Sequence, residues 1–353
     1  MELALYHPEA GYYEQPARAI GKRGDYYTSV SVGCLFGELL AVQFAAWCEA
    51  LSEGPCQIVE AGAHDGQLAS DILRWLGRFK PGLVKRLEYW LIEPSAIRHG
   101  VQASRLAEFA GTVRWFTSWE TVPPGGVRGI IFANELLDSM PVHRFGWDAA
   151  QRRWFEWGVT IAQGQLDWAR VPDGPESGAG AGAPAAAGER GPVLPELPPD
   201  LLAALPDGFV LERCPAAQNW WAQAAAALRE GKLLGFDYGS SDEAPLRPER
   251  KEGTLRAYDD HRVHRALLDR PGQQDLTADV DFAALRAAGI AAGLQTEAWQ
   301  TQSQFLTRIL EQTQAAPGGF PAWTPTRLRQ FRTLIHPDHL GRAFHVLVQG
   351  RPR

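Results

Sequence analysis

Cysteine is scarce in this chain, and its spacing excludes two common kinds of scaffold. The 353 residues contain four cysteines. None of them shows the paired CxxC spacing of a zinc site, and four are too few for a disulfide-stapled fold of this length. We therefore expect a reducing compartment. The four positions are Cys34, Cys48, Cys56 and Cys214.

Excess positive charge and long apolar runs are lacking as well. The formal net charge is −6 at pH 7, so the chain has no overall cationic field to attract phosphate backbones. We expect no nucleic-acid partner. The apolar stretch 35–46 is interrupted by Gly37, Glu38 and Gln43, whereas a membrane-spanning helix needs about 20 apolar residues. We therefore expect no membrane insertion.

Signals for targeting and for metal binding are not recognisable. The first residues, MELALYHPEAGYY, contain no basic segment followed by an apolar core and no arginine-rich amphipathic pattern. This absence predicts a cytoplasmic location. His336 and His339 form an i, i+3 pair, as do His261 and His264, but neither pair has a third ligand at suitable spacing. We predict no metal site.

What the sequence does contain is an alternation of strand and helix patterns. The run QIVEAG at 57–62 ends in glycine, and Leu68, Ile72, Leu73 and Leu76 then recur at helical spacing. YWLIEPS, VRWF, GIIFAN and KLLGFDYG supply further short apolar runs. Such alternation is typical of an α/β fold with a mostly parallel sheet.

Two segments depart from this alternation and are interpreted as insertions into a single domain, 1–353. Residues 142–230 contain aromatic, β-favouring runs typical of hairpins. Within them, 172–199 is rich in Gly, Ala and Pro, a composition too poor in bulky apolar residues to offset ordering entropy, and it predicts a flexible loop. Residues 303–340 are predicted to be a helical insertion before the last strand.

The first candidate site lies between the 57–62 strand and the following helix. Glu60, Gly62 and Gly66 occupy a loop in which glycine lets the backbone approach a ligand, and the helix N-terminus offers free N–H groups. The alternative is a tight β–α turn without a ligand. Glu93 ends the next strand, where an acid accepts hydrogen bonds from ribose hydroxyls. Together these residues favour a nucleoside cofactor.

The loop spacing also distinguishes between two nucleoside cofactors. Nicotinamide dinucleotides are bound through GxGxxG, whose glycines seat a pyrophosphate. Here Gly62 and Gly66 are separated by a segment containing His64. S-adenosylmethionine (SAM) has no pyrophosphate, so the looser loop favours SAM.

The second candidate site follows the strand GIIFAN. Asn134, Glu135 and Asp138 are expected at the carboxyl edge of the sheet, where open α/β sheets bind ligands. Two carboxylates there can hold a guanidinium or receive a proton. The alternative is that Glu135 and Asp138 cap the following turn. The (Asp/Asn)-Pro-Pro-Tyr motif expected of nucleobase amino-methyltransferases is absent.

Taken together, the chain resembles the MidA family of SAM-dependent methyltransferases, also called the mitochondrial complex I assembly factor 7 type. The resemblance is carried by ALYHPEAGYY, IGKRGDYYTS, LFGELLA, LIEPS, ANELLDSMPV, FDYG, GTLRAY, DLTADVDF, TQSQFL and LGRAFHVLVQ. It implies a class I, Rossmann-like methyltransferase fold with a mostly parallel seven-stranded sheet. It further implies SAM as cofactor and arginine methylation of a protein, a respiratory complex I subunit.

The resemblance also assigns residues. Glu60, Gly62 and Gly66 match its cofactor loop, and Glu93 matches its ribose-side acid. Asn134, Glu135 and Asp138 match its NE-x-x-D signature, while Asp237 and Tyr238 match its DYG. Two departures stand out: His64 replaces a central glycine, and Val30-Ser31 replaces a Pro-Glu pair.

The leading hypothesis is therefore a methyltransferase acting on an arginine. Glu60, Gly62, Gly66, Glu93 and Asn134 are predicted to bind the cofactor. Glu135, Asp138 and Asp25 are the candidate catalytic residues. The alternatives are a non-catalytic assembly factor that binds a partner protein, and methylation of a small molecule or an RNA; the oligomeric state stays open.

Overall fold

The computed structural model describes residues 1–15, 28–172, 194, 197–240, 250–259, 262–315 and 318–352. The strands are β1 (Cys56–Ala61), β2 (Leu87–Ile92), β3 (Val113–Phe116), β4 (Val127–Asn134), β5 (His143–Asp148), β6 (Arg153–Ala162), β7 (Gln165–Arg170), β8 (Val210–Arg213), β9 (Leu228–Ser240), β10 (Arg256–Asp259), β11 (Arg262–His264), β12 (Asp275–Thr277), β13 (Val280–Asp281), β14 (Gln295–Thr301) and β15 (Phe344–Gly350). The helices are α1 (Glu2–Tyr6), α2 (Leu35–Glu49), α3 (Gln67–Phe79), α4 (Pro81–Val84), α5 (Ala96–Arg105), α6 (Pro199–Ala204), α7 (Pro215–Ala227), α8 (Phe282–Ala291), α9 (Gln302–Ala315), α10 (Pro325–Ile335) and α11 (Leu340–Ala343). None of the helices in these ranges is long and apolar enough to cross a bilayer.

The central sheet has the order β14-β15-β9-β4-β1-β2-β3. The strands from β9 to β3 are parallel, while β15 runs antiparallel to both β9 and β14. The short strand β13 pairs with β9 as an eighth member. The strand order reverses on either side of β1, which creates a crevice beyond its carboxyl end. The predicted α/β class with a mostly parallel sheet is confirmed.

Helices cover both faces of this sheet, which explains why its central strands are apolar on both sides. Every residue of β1 is buried. On one face, α2, α3, α9 and α10 contribute to a core in which Phe44 packs against Phe132 with ring centroids 5.0 Å apart. On the other face, Trp221 of α7 packs among apolar residues of the strands and donates its indole N–H to Gln349 Oε1 at 2.7 Å. The helical spacing predicted from Leu68 to Leu76 is that of α3.

Four strands within 142–230, β5 to β8, form a second, antiparallel sheet with the order β7-β6-β5-β8. Helix α7 and the start of β9 also fall within these bounds, yet both belong by packing and pairing to the central sheet. The extent of an insertion at 142–230 therefore stays a prediction. The predicted flexible loop 172–199 lies mostly outside the described residues.

Between β14 and β15 the chain forms α9, α10 and α11, the segment for which a helical insertion at 303–340 is predicted. Arg327 of α10 forms an ion pair with Glu38 of α2, and this contact fastens the helices to the body of the protein. A third, small sheet has the order β11-β10-β12 and packs with α1 in a separate apolar cluster.

The strands β1, β4 and β9 approach closely at Gly129 of β4, so a substitution there tests this packing. A Cβ on Gly129 would overlap the backbone oxygen of Gln57 in β1. Gly129→Ala should therefore lower the free energy of unfolding by about 2–3 kcal/mol, measured by urea denaturation. Gly125→Ala is the control, because a Cβ there meets nothing within 4 Å; it should change stability by less than about 0.5 kcal/mol. Equal stability of the two variants would contradict the packing described for β4.

Candidate functional site

A cavity of about 540 Å³ lies at the carboxyl edge of the central sheet. Its walls come from the residues that follow β1, β2, β3 and β4, with Tyr6 and Tyr13 from the N-terminal segment and Trp220 from α7. This is the crevice that the strand order creates, and its volume is in the range of small-molecule sites. Of the predicted site residues, it brings together Glu60, Gly62, Glu93, Asn134 and Glu135.

The loop after β1 requires glycine at two positions. Gly62 has φ +71°, and a Cβ there would lie 2.8 Å from Leu136 Cδ1. Gly66 has φ +80° and is the residue preceding the first turn of α3. Both conformations are ones that L side chains rarely adopt. The two glycines thus place the amino end of α3 directly behind the cavity.

His64 lies between these glycines, itself with φ +48°. Its Nε2 is 2.7 Å from an Nη of Arg98, and Arg98 donates its Nε–H to the carbonyl of Tyr13 at 2.9 Å. An arginine has no acceptor, so Nε2 must accept and the ring is neutral. Burial lowers the pKa of His64, with the neighbouring Arg98 as a further cause. The histidine therefore helps to fasten the N-terminal segment beside the cavity.

Glu93 follows β2 and is 8% exposed. Its Oε1 accepts from the backbone N–H of Ser95 at 2.9 Å, and its Oε2 accepts from Gln102 Nε2 at 2.8 Å. Burial raises its pKa, while these two donors oppose the rise. The carboxyl group is therefore held in one orientation at the cavity wall.

Glu60 is the penultimate residue of β1, and its buried carboxyl group lines the cavity. Its Oε2 accepts from the hydroxyl of Tyr89 at 2.5 Å. Burial raises its pKa to about 8, since the single hydrogen bond only partly replaces water. A cation entering the cavity would favour its ionised form.

Asn134 is the last residue of β4 and Glu135 follows it; both residues line the cavity. Glu135 has φ +53°, and its backbone N–H donates to Phe236 O at 2.9 Å. Its Oε1 accepts from Ser29 N at 3.1 Å and from Asn134 Nδ2 at 3.0 Å. Glu135 Oε2 and Asn134 Oδ1 are buried and have no hydrogen-bond partner among the described residues. Burial raises the pKa of Glu135 to about 8.

Asp138 does not line the cavity, although it is only four residues from Asn134. It is buried, and its pKa is raised to about 6 by burial, with Arg256 acting in the opposite direction. The Asp138 carboxyl also accepts from the backbone N–H of Ser139 within the turn, which is the contact that the capping alternative requires of this residue. Two further amides of this turn are held by Asp237, whose Oδ2 accepts from Leu137 N at 2.9 Å and from Asp138 N at 3.2 Å. Asp25 lies outside the described residues.

An apolar wall of the cavity was not anticipated as part of the site. Trp119 follows β3 and Trp220 lies on α7; their ring centroids are 5.6 Å apart, and both line the cavity. Two tryptophans so far apart along the chain have no local pattern that connects them, so their pairing could not be predicted. Aromatic faces of this kind suit a planar heterocycle.

A comparison with protein families places the chain. Residues 39–299 match the model of a family of S-adenosyl-L-methionine-dependent methyltransferases. The chain belongs to this family. Its cofactor is SAM, as predicted, and the cavity is compatible with it, because buried carboxyl groups and the orphaned Glu135 Oε2 and Asn134 Oδ1 suit a sulfonium and an ammonium cation.

Relatives and solved structures agree with this assignment. The chain is 28% identical to the mouse protein named protein arginine methyltransferase NDUFAF7, mitochondrial, over 99% of this chain and 79% of that protein. It is 29% identical to the Drosophila melanogaster homologue over 81% of this chain, and this match spans 64% of that relative's length. A crystal structure from Burkholderia thailandensis, with S-adenosyl-homocysteine bound, superposes with a TM-score of 0.79 at 28% identity, covering 99% of this chain and 86% of that one.

The predicted cytoplasmic location is wrong. It depended on the lack of a recognisable targeting segment, whereas the mouse and human relatives are named as mitochondrial proteins. The composition of the first residues is therefore not a guide to the location of this chain.

The raised pKa values of Glu60 and Glu135 predict how stability varies with pH. Their folded-state pKa of about 8 exceeds the ordinary 4.5, so the folded cofactor-free protein binds more protons between these values. Stability should fall as pH rises from 6 to 8, by roughly 1 kcal/mol per pH unit for each group. Glu60→Gln and Glu135→Gln should each flatten the profile in urea titrations. The exposed Glu53→Gln is the control, and a profile unchanged in all three variants would contradict the burial argument.

Proposed function

We propose that this protein transfers a methyl group from SAM to a guanidinium nitrogen of arginine in a protein substrate. The observation that carries the proposal is Glu135, a cavity-lining residue with a buried carboxyl group. One of its oxygens is held by Ser29 and Asn134, and the other is buried without a hydrogen-bond partner among the described residues. The relatives named protein arginine methyltransferases support the acceptor class. The complex I subunit implied by the resemblance stays a prediction.

The cofactor roles follow from position. Gly62 and Gly66 would let the backbone and the amino end of α3 approach the amino-acid part of SAM. Glu93, fixed by Ser95 and Gln102, would accept hydrogen bonds from ribose hydroxyls. Trp119 and Trp220 would flank the adenine, and Glu60 and Asn134 would face the cationic end.

Glu135 would orient the acceptor and take its proton. SAM supplies an electrophilic methyl group and leaves as S-adenosyl-homocysteine. The attacking nitrogen of a guanidinium must lose a proton as its bond to the methyl carbon forms, because the methylated product is again a monocation. A carboxylate with a raised pKa is a stronger base than an ordinary glutamate, and Glu135 Oε2 has no competing donor among the described residues. The remaining rate acceleration would come from holding SAM and the acceptor nitrogen aligned for reaction.

Asp138 would act indirectly, since it lies behind the cavity and within electrostatic reach of Arg256. Its catalytic role and that of Asp25 stay predictions. The alternative of a non-catalytic partner-binding protein was motivated by His64 and by the missing Pro-Glu pair. The contact of His64 with Arg98, and the Ser29 amide bound to Glu135, favour the enzyme.

Replacement of Glu93 tests the cofactor site. Glu93→Ala removes the acceptor for ribose hydroxyls and the anchor of Ser95 and Gln102, so affinity for SAM and S-adenosyl-homocysteine should fall at least about tenfold in calorimetric titration. Glu108→Ala is the matched control, since Glu108 is exposed and pairs with Arg74 on the surface. Equal affinity in Glu93→Ala and the wild type would remove Glu93 from the site.

Replacement of Glu135 tests the chemistry. Glu135→Gln keeps the shape of the side chain but cannot accept a proton, so SAM affinity should stay within about threefold while methyl transfer falls about 10²- to 10⁴-fold. Transfer is measured as label from methyl-tritiated SAM into proteins of a cell extract, with hydrolysis to identify the methylated amino acid. Label on a residue other than arginine would refute the proposed acceptor. An unaltered rate would refute the role of Glu135.

A further inference from the structure

A second cavity, of about 640 Å³, lies beyond the carboxyl end of β9. It shares no lining residue with the cofactor cavity. Its walls include Tyr238, Arg250, Arg256, Asp279 and Arg342. Nothing in the cofactor chemistry uses this space, so its lining needs a separate explanation.

The described lining of this second cavity has a charge opposite to that of the protein as a whole. Arg256 donates to Asp279 Oδ1 at 2.6 Å, and Arg250 forms an ion pair with the other oxygen of the same carboxylate. One carboxylate thus faces two guanidinium groups. Arg342 adds a third, exposed guanidinium with no ion pair in the described part of the chain. A local positive excess in a chain of net charge −6 indicates a site for an anion.

The guanidinium of Arg256 is prearranged. It lies 5.4 Å from the ring centroid of Tyr238, its Nε–H donates to the hydroxyl of Tyr258 at 3.2 Å, and its side chain is 19% exposed. Arg250 is 41% exposed, so it keeps N–H groups directed at solvent while it binds Asp279. Planar guanidinium groups of this kind bind carboxylates through paired hydrogen bonds.

The second cavity is close to the proposed reaction centre. Asn134 pairs with Phe236 across β4 and β9, and Tyr238 lies two residues farther along β9. With a strand spacing near 4.8 Å and a rise near 3.3 Å per residue, the arginine-lined cavity lies on the order of 10 Å from Glu135. An extended peptide covers that distance in about three residues.

We propose that the arginine-lined cavity binds a glutamate or aspartate side chain of the protein substrate, located two or three residues from the arginine that is methylated. The proposal depends on the proposed function for the position of the target arginine. Arg250 and Arg342 supply the donors, and Arg256, held by Asp279 and the two tyrosines, fixes the depth of the site. The enzyme would thereby select arginines with an acidic neighbour.

The test uses binding rather than turnover. Fluorescent peptides with one arginine and a single glutamate at each of three positions on either side are titrated into the protein saturated with S-adenosyl-homocysteine, and compared with glutamine-matched peptides. A glutamate two or three residues away should tighten binding about tenfold. Arg250→Gln/Arg342→Gln should abolish this preference and leave S-adenosyl-homocysteine affinity unchanged. Arg308→Gln, an exposed arginine outside the cavity, should retain the preference.

A single charge-reversal variant, Arg342→Glu, provides a second test in case the double variant does not fold. Arg342 is exposed, and Arg342→Glu should make the glutamine peptide bind at least as well as its glutamate counterpart. Absence of peptide binding, equal binding of both peptides to the wild type, or a preference that survives in both variants would overturn the inference. Failure of the proposed function looks different: loss of S-adenosyl-homocysteine binding, or methylation of another residue, with the acidic preference intact.

Discussion

One buried side chain, Asp237, sets the geometry on which both cavities depend. It is 1% exposed, and besides the amides of Leu137 and Asp138 it accepts from the amide of Tyr238 at 2.9 Å. Through these hydrogen bonds, Asp237 joins the end of β9 directly to the turn that follows β4. Glu135 enters that turn with a left-handed backbone, which directs its side chain to the cofactor cavity. Tyr238, held from the same carboxyl group, begins the wall of the arginine-lined cavity.

In the cofactor-free protein, ionisation of the carboxyl groups at this edge of the sheet costs free energy, because these groups are buried. Burial raises the pKa of Glu60, Glu93 and Glu135. It also raises the pKa of Asp237, and the nearby carboxyl groups of Asp138 and Glu135 raise that pKa further. Such an arrangement is unfavourable for folding, because like charges in a place with little water repel each other. It would become favourable on binding of the sulfonium and ammonium of SAM and, under the proposed function, of a guanidinium. The buried carboxyl groups therefore favour the binding of cationic ligands.

The sequence predicted those parts of the site that depend on local rules. Gly62 and Gly66 were singled out because a sharp turn between a strand and a helix needs glycine, and both have a positive φ. Glu93 was singled out because parallel strands end at one edge of the sheet, and it lines the cavity there. Contacts between distant segments were not predictable: the pairing of Trp119 with Trp220, and the ring of His64 against Arg98, depend on how whole helices pack. Asp138 was assigned to the same cluster as Glu135, but the turn directs it away from the cavity. The prediction of a cytoplasmic location was wrong for another reason. It depended on the composition of the first residues and not on any feature of the fold.

The helices between β14 and β15 are connected to the cofactor cavity by hydrogen bonds. Gln302 is fully buried; its amide donates to the carbonyl of Leu334 at 3.0 Å, near the carboxyl end of α10, and its oxygen accepts from the hydroxyl of Ser29 at 3.1 Å. The amide of Ser29 then holds Glu135 Oε1. A carbonyl at a helix end needs a donor, and here that donor belongs to a chain of hydrogen bonds that ends on the proposed base. One oxygen of Glu135 is thereby fixed by the fold. Because that oxygen is already occupied, Oε2 is the oxygen that would take a proton from the substrate under the proposed function.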